Sequence, residues 1–204
     1  MTGDRHDFNV VRDFANSTSW LHGFMVFMAK DGVVLLAVAL LVGWWIGRRE
    51  NSPRKVAIAV WSALAALVAV ALVQPIADAA AEQRPFVNHP EVHKLIAHAA
   101  DFGFPSDHAT AAGAIAAGLL FLSWQLGLVT ALLALLIAFS RVYVGVHFPQ
   151  DVLAGLALGA VVAAIGVFVV VPLLTRLLER LTRTPMRPLI TSAGVTSGGA
   201  EPAL

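Results

Sequence analysis

From position 109 to 140 the chain carries no charged side chain. A run that long and that apolar does not belong to a water-soluble domain. It fits two short helices crossing a bilayer back to back, with Gln125-Leu126-Gly127 as the expected turn. Residues 32–47, 56–77 and 152–175 are uncharged in the same way. The expectation is an all-α, polytopic membrane helix bundle of about five transmembrane helices. Composition agrees: 58% of the 204 residues are hydrophobic, 13% are charged, and mean hydropathy is +0.76. A net charge of +1 gives no basic surface for nucleic acid, and the lack of cysteine excludes disulfides and thiolate chemistry.

The polar segments divide the chain. Residues 8–29 are amphipathic: Val10, Phe14, Leu21, Met25 and Met28 fall near helical spacing, interrupted by Arg12, Asp13, Asn16, Ser17 and Thr18. This reads as a helix lying in the membrane interface, or as a short extra span, broken by Lys30-Asp31-Gly32. Asp4, Arg5, Asp7, Arg12 and Asp13 stand where a secretory leader needs a basic and then an apolar region, so no cleavable signal peptide is expected. The expected division is an interfacial segment over 1–31, a membrane domain over 32–178, and a basic, cytoplasmic tail over 179–204, disordered from Thr191.

Basic residues set the expected orientation. Arg48, Arg49, Arg54 and Lys55 lie in one connection, and Arg176, Arg180, Arg183 and Arg187 follow the last span. Both clusters belong on the cytoplasmic side. Five spans satisfy this, with Trp44, Trp45, Trp61 and Trp124 as an inner aromatic belt. Residues 78–108 and 141–151 then share the outer face.

The outer-face residues carry the chemistry. His147 and Asp151 are four apart, so a helix starting near Pro149 brings the carboxylate back to the imidazole. Arg141 is a donor fork suited to phosphate or carboxylate. On spacing alone, a phosphorus-attacking site and an interfacial His beside a capping Asp are equally good readings. Two further clusters, Arg84-Pro85 and Pro105-Ser106-Asp107-His108, can converge on the same face.

Together these segments resemble the three signature motifs of the type 2 phosphatidic acid phosphatase family: Lys-x6-Arg-Pro, Pro-Ser-Gly-His and Ser-Arg-x5-His-x3-Asp. The third is complete over Ser140, Arg141, His147 and Asp151; the second has Asp107 for Gly; the first keeps Arg84-Pro85 but has Ala77 for Lys. The resemblance spans about residues 33–175. It implies a metal- and cofactor-independent lipid phosphatase of the bacterial plasma membrane. The Asp107 variant is similar to the branch holding the bacitracin-resistance type undecaprenyl pyrophosphate phosphatases.

Physical chemistry supports the same assignment. Phosphate ester hydrolysis needs cations on the non-bridging oxygens, an in-line nucleophile and a proton for the leaving oxygen. Arg84 and Arg141 suit the first task, and Ser106 at a helix N-cap adds a hydroxyl and amides. His147 is the candidate nucleophile, oriented by Asp151, and His108 the candidate general acid. Asp107 could pair with Arg84 or take a substrate proton, and Gln74 could replace the missing Lys. Tyr143 reads as packing, and Phe86, Phe102, Phe104 and Phe148 as an outer belt. His89, His93 and His98 read as a solvated loop rather than a metal site, since Pro90 intervenes and no partnering carboxylate pattern is evident. A transporter would need ionisable or helix-breaking residues at mid-membrane, and the spans lack charge there.

Overall fold

The computed structural model describes residues 2–88, 92 and 94–192. Eight α-helices occur among them: α1 (Thr2–Ser17), α2 (His22–Arg49), α3 (Pro53–Ala80), α4 (Pro85–Asn88), α5 (Asp107–Leu122), α6 (Trp124–Tyr143), α7 (Pro149–Val169) and α8 (Val171–Leu181). The described residues hold no strand, only an isolated bridge between Gln83 and Phe102. Four helices are long and apolar enough to cross a membrane, and α5 is a shorter apolar fifth. The expected all-α polytopic bundle is what the chain forms.

α5 is the hub, touching α2, α3, α6 and α7. Its composition explains this. Ala109, Ala112, Gly113, Ala114, Ala116 and Gly118 are all buried, and such small residues let backbones approach closely where lipid supplies no hydrophobic drive. A Cβ on Gly159 of α7 would lie 2.0 Å from the Thr110 carbonyl oxygen, and one on Gly113 2.4 Å from that of Leu156. The α5–α7 crossing is therefore a backbone-to-backbone contact, and it draws the N-termini of both helices together.

Boundaries differ from expectation in four places. α2 runs unbroken through Lys30-Asp31-Gly32. Both charges are exposed, and Gly32 is a packing residue, where a Cβ would come within 2.9 Å of Ile137 Cγ1. The actual break follows Ser17, and α1 buries Phe8 and Ala15. The turn between the third and fourth spans falls at extended Ser123, before Gln125. Gly127 instead seats α6 against Leu120. The last span ends at Val169, and Pro172, which lacks an N–H, starts the amphipathic α8.

Trp61 also departs from the expected belt. It is buried, donates from Nε1 to the Ala163 carbonyl at 2.9 Å, and fills a notch that a Cβ on Gly166 would close. Trp44 and Trp45 do stand at the basic end, with Trp45 5.5 Å from the Arg48 guanidinium. Thr191 and Ser192 are placed, the Ser192 N–H donating to the Arg48 carbonyl at 3.1 Å. The rest of the tail, like His89 and His93, lies outside the described residues. The α2–α3 turn and the segment after α8 thus meet at one end of the bundle. The 81–106 connection and the α6–α7 turn meet at the other, where the Leu95 N–H donates to Val144 O at 3.0 Å.

Candidate active site

The α6–α7 turn is built to aim a histidine. Gly145 adopts φ 81°, a conformation that favours glycine, and the Val146 N–H donates back to Arg141 O at 3.3 Å. The tight reversal buries His147, which is 2% exposed. Asp151, at the third position of α7, accepts the Phe148 N–H on Oδ2 at 2.8 Å and so caps the helix. The same oxygen stands 3.4 Å from His147 Nδ1. The Asp151 main-chain carbonyl accepts the Ser106 N–H at 3.0 Å, pinning α5 to α7.

His147 Nδ1 also lies 2.9 Å from the Gly103 carbonyl. Nδ1 faces two acceptors, and the donor Arg84 Nη1 lies closer to Nε2 than its 3.4 Å from Nδ1, so the neutral ring carries its proton on Nδ1 and leaves Nε2 as a lone pair. Nε2 accepts from Arg84 Nη1 at 3.0 Å. Burial holds the imidazole well below the usual histidine pKa, and the charges of Arg141 and Arg84 push the same way, against the Gly103 bond. A neutral imidazole with a directed Nε2 is chemically a base and a nucleophile.

Arg84 is buried near the start of the 81–106 connection. Its Nε donates to Asp101 Oδ1 at 2.7 Å and its Nη1 to Val146 O at 3.2 Å. Burial would raise the Asp101 pKa, but the Arg84 bond and charge outweigh it and keep the carboxyl below its ordinary range. Pro85, fully buried, opens α4 directly after Arg84. Ser106 is the N-cap of α5, yet its hydroxyl makes no cap bond; it is wholly buried and has no hydrogen-bond partner among the described residues. Arg141 donates Nη1 to Ala29 O at 2.8 Å, while its buried Nε has no partner among them. Asp107 is exposed and His108 half-buried on the first turn of α5.

The fold thus gathers all three clusters at one end of the bundle. Some expectations are corrected. Asp101, not Asp107, takes the hydrogen bond from Arg84. Gln74 donates to Asp78 at 2.9 Å, though it does line a small cleft with Ala77, Arg84, Asp101 and Asp107. Phe148 is buried edge-on against Phe8 rather than in an outer belt, whereas Phe102 is exposed. Tyr143 is a packing residue whose hydroxyl donates to the Thr18 carbonyl at 3.0 Å. Sequence reasoning passed over Asp101 and the Gly103 carbonyl, which lie in an irregular connection without periodicity. His98, expected in a solvated loop, instead meets the His147 ring edge to face with centroids 6.4 Å apart. Among the described residues no three His, Cys, Asp or Glu side chains are grouped to hold a metal ion.

Fold and geometry together define a helical membrane protein with a buried histidine flanked by two arginines at one end. Residues 57–176 match the PAP2 superfamily, and the chain belongs to that family. It is 37% identical over 155 residues to undecaprenyl-diphosphatase BcrC of Bacillus subtilis, covering 76% of this chain and 78% of that one. It is 32% identical over 157 residues to the putative undecaprenyl-diphosphatase YbjG of Escherichia coli, covering 76% of each. Its fold is shared with the PAP2 type phosphatidylglycerolphosphate phosphatase of Bacillus subtilis, with a TM-score of 0.59 at 24% identity over 90% of each chain.

Proposed function

We propose that this protein is a phosphatase of the bacterial plasma membrane that hydrolyses undecaprenyl pyrophosphate to the monophosphate, with its site on the outer face. The observation that carries the reading is the contact of Arg84 Nη1 with His147 Nε2, beside a buried Ser106 hydroxyl and an Arg141 Nε that both lack partners among the described residues. A cation already against a nucleophilic nitrogen, ringed by unused donors, suits a phosphoryl group better than a structural ion pair. The named activities of the relatives point to the same substrate class.

In the reaction, Arg84 turns from Nε2 to the phosphoryl oxygens, joined by Arg141 and Ser106, with Pro85 fixing the backbone beside Arg84. His147 Nε2 attacks the terminal phosphorus. The N–P bond forms as the bridging P–O bond breaks, and undecaprenyl phosphate leaves with a proton from His108. Asp151 and the Gly103 carbonyl stabilise the cationic phosphohistidine through Nδ1–H. His108 then takes a proton from water, which attacks phosphorus and releases inorganic phosphate, restoring His147. Asp107, exposed at the mouth, can accept the substrate's own proton. No metal or cofactor is needed for these steps. The product is the lipid carrier of cell-wall synthesis, and bacitracin resistance is a by-product of the activity.

The test is phosphate release by purified protein in detergent with EDTA, from undecaprenyl pyrophosphate and phosphatidic acid in parallel. The expected result is preference for the pyrophosphate, and a loss of roughly 10³-fold or more in His147→Ala. Labelled substrate quenched in base should leave an acid-labile phosphoprotein in the wild type alone. Comparable rates on both lipids would indicate a broader lipid phosphatase.

A further inference from the structure

The 92–106 connection holds a second histidine beside the site that none of the roles above uses. His98 is partly buried, and its ring stands at 79° to that of His147 with centroids 6.4 Å apart. It is held on one side only. Nδ1 lies 3.2 Å from the Ala99 carbonyl and 3.7 Å from Asp101 Oδ1, the same oxygen that receives Arg84 Nε. Both are acceptors, so Nδ1 carries the proton, and Nε2 has no hydrogen-bond partner among the described residues. The backbone at this point is also fixed: Lys94 Nζ donates to the His98 carbonyl at 2.9 Å and sits 3.9 Å over the Phe86 ring. A floppy solvated loop would need neither clamp.

Distance says what such a ring can reach. A phosphorus poised for attack lies about 3 Å from His147 Nε2. A second phosphorus, one oxygen bridge further on, is then about 6 Å from that nitrogen, the same scale as the 6.4 Å between the two ring centroids. We infer that His98 binds the second, non-reacting phosphoryl group of a diphosphate, and so sets the preference for diphosphate over phosphomonoester head groups. This rests on the diphosphatase reading above and deepens it. In the free protein, burial and the Arg84 charge keep His98 below its usual pKa and neutral. An incoming dianion reverses that field. The ring takes up a proton, Asp101 steadies Nδ1–H, and Nε2–H donates to a phosphoryl oxygen. Asp101 is a positioning residue that holds Arg84 and His98 in one frame.

Farnesyl pyrophosphate and farnesyl monophosphate differ only in the second phosphoryl group and make the deciding pair. KM and kcat are measured for the diphosphate, and Ki for the monophosphate as competitor, in wild type, His98→Ala and His98→Lys. A charge-assisted hydrogen bond lost from the bound diphosphate predicts a KM rise of about tenfold in His98→Ala, with monophosphate Ki shifted less than about twofold. His98→Lys, which keeps a cation, should recover part of the loss. Equal shifts for both ligands, or no shift, would overturn the inference while leaving the diphosphatase reading intact. Absence of diphosphate turnover in the wild type would overturn both. Where His98→Ala lowers thermal stability, His98→Gln is measured in its place, and the same split between the two ligands decides.

Discussion

Arg84 Nη1 and His147 Nε2, 63 positions apart in the chain, meet at 3.0 Å in a buried contact. The guanidinium is anchored through Nε by Asp101, while the Nη1 arm is shared between the ring and the Val146 carbonyl. An anion can take over that arm without unfolding anything else, because the Nε–Asp101 bond persists. The contact also raises the electrostatic cost of protonating His147.

That cost fixes the sign of a pH experiment. His147 must be neutral to attack, and its pKa is lowered by burial, Arg141 and Arg84. The neutral form therefore persists as pH falls through the ordinary histidine range, and kcat/KM is lost only below it. Arg84→Gln removes one of the positive charges, so its residual activity should lose its acid limb at a higher pH than the wild type. An acid limb that stays in place would show that another group sets it.

Asp151 has two tasks on one oxygen, capping α7 and facing His147 Nδ1. Asp151→Asn keeps a carbonyl for the cap but loses the charge behind the imidazole. It should reduce kcat by roughly 10²- to 10⁴-fold with little change in thermal unfolding. Asp151→Ala should do the same and also lose about 1 kcal/mol of stability with the cap. Circular dichroism melts run beside the assay separate the two tasks.

Gly159 controls the spacing of α5 and α7. In Gly159→Ala the new methyl meets the Thr110 carbonyl at 2.0 Å, and backbone must move. Overpacking of this kind costs about 1–3 kcal/mol and should separate His108 from His147, lowering activity as well as melting temperature. Gly23→Ala, where a Cβ meets nothing within 4 Å, is the matched control and should be neutral or slightly stabilising.

The absence of cysteine makes topology directly measurable. Arg54→Cys lies at the basic end and Ala97→Cys at the site end, and both positions are exposed. An impermeant maleimide should label Ala97→Cys in intact cells and Arg54→Cys only after permeabilisation. The reverse pattern would place the site on the inner face.

Much of this was legible in the chain itself. Uncharged runs such as 109–140 admit few structures other than membrane helices, because backbone polar groups in hydrocarbon must pair within their own segment. The spacing of His147 and Asp151 is a helical one, so their meeting is a local fact. The charge of Lys30 and Asp31 was misleading, since charged residues end a span only where they would sit in lipid, and α2, with both exposed, is longer than a span needs. At 28 residues α2 is about 42 Å long, well over the roughly 30 Å hydrocarbon layer.

What no local pattern contains is the frame around the imidazole. Asp101, Gly103 and His98 sit in a connection without periodicity, and their partners Arg84 and His147 are distant in sequence. Their placement follows from the α5–α7 crossing at Gly113 and Gly159, which draws Ser106 onto Asp151 and folds the preceding loop over His147. Hydrophobic runs and helical spacing act within a few turns and can be read along the chain. The tautomer of His147, the unspent hydroxyl of Ser106 and the company of His98 depend on contacts between separate segments, which only the packed bundle decides.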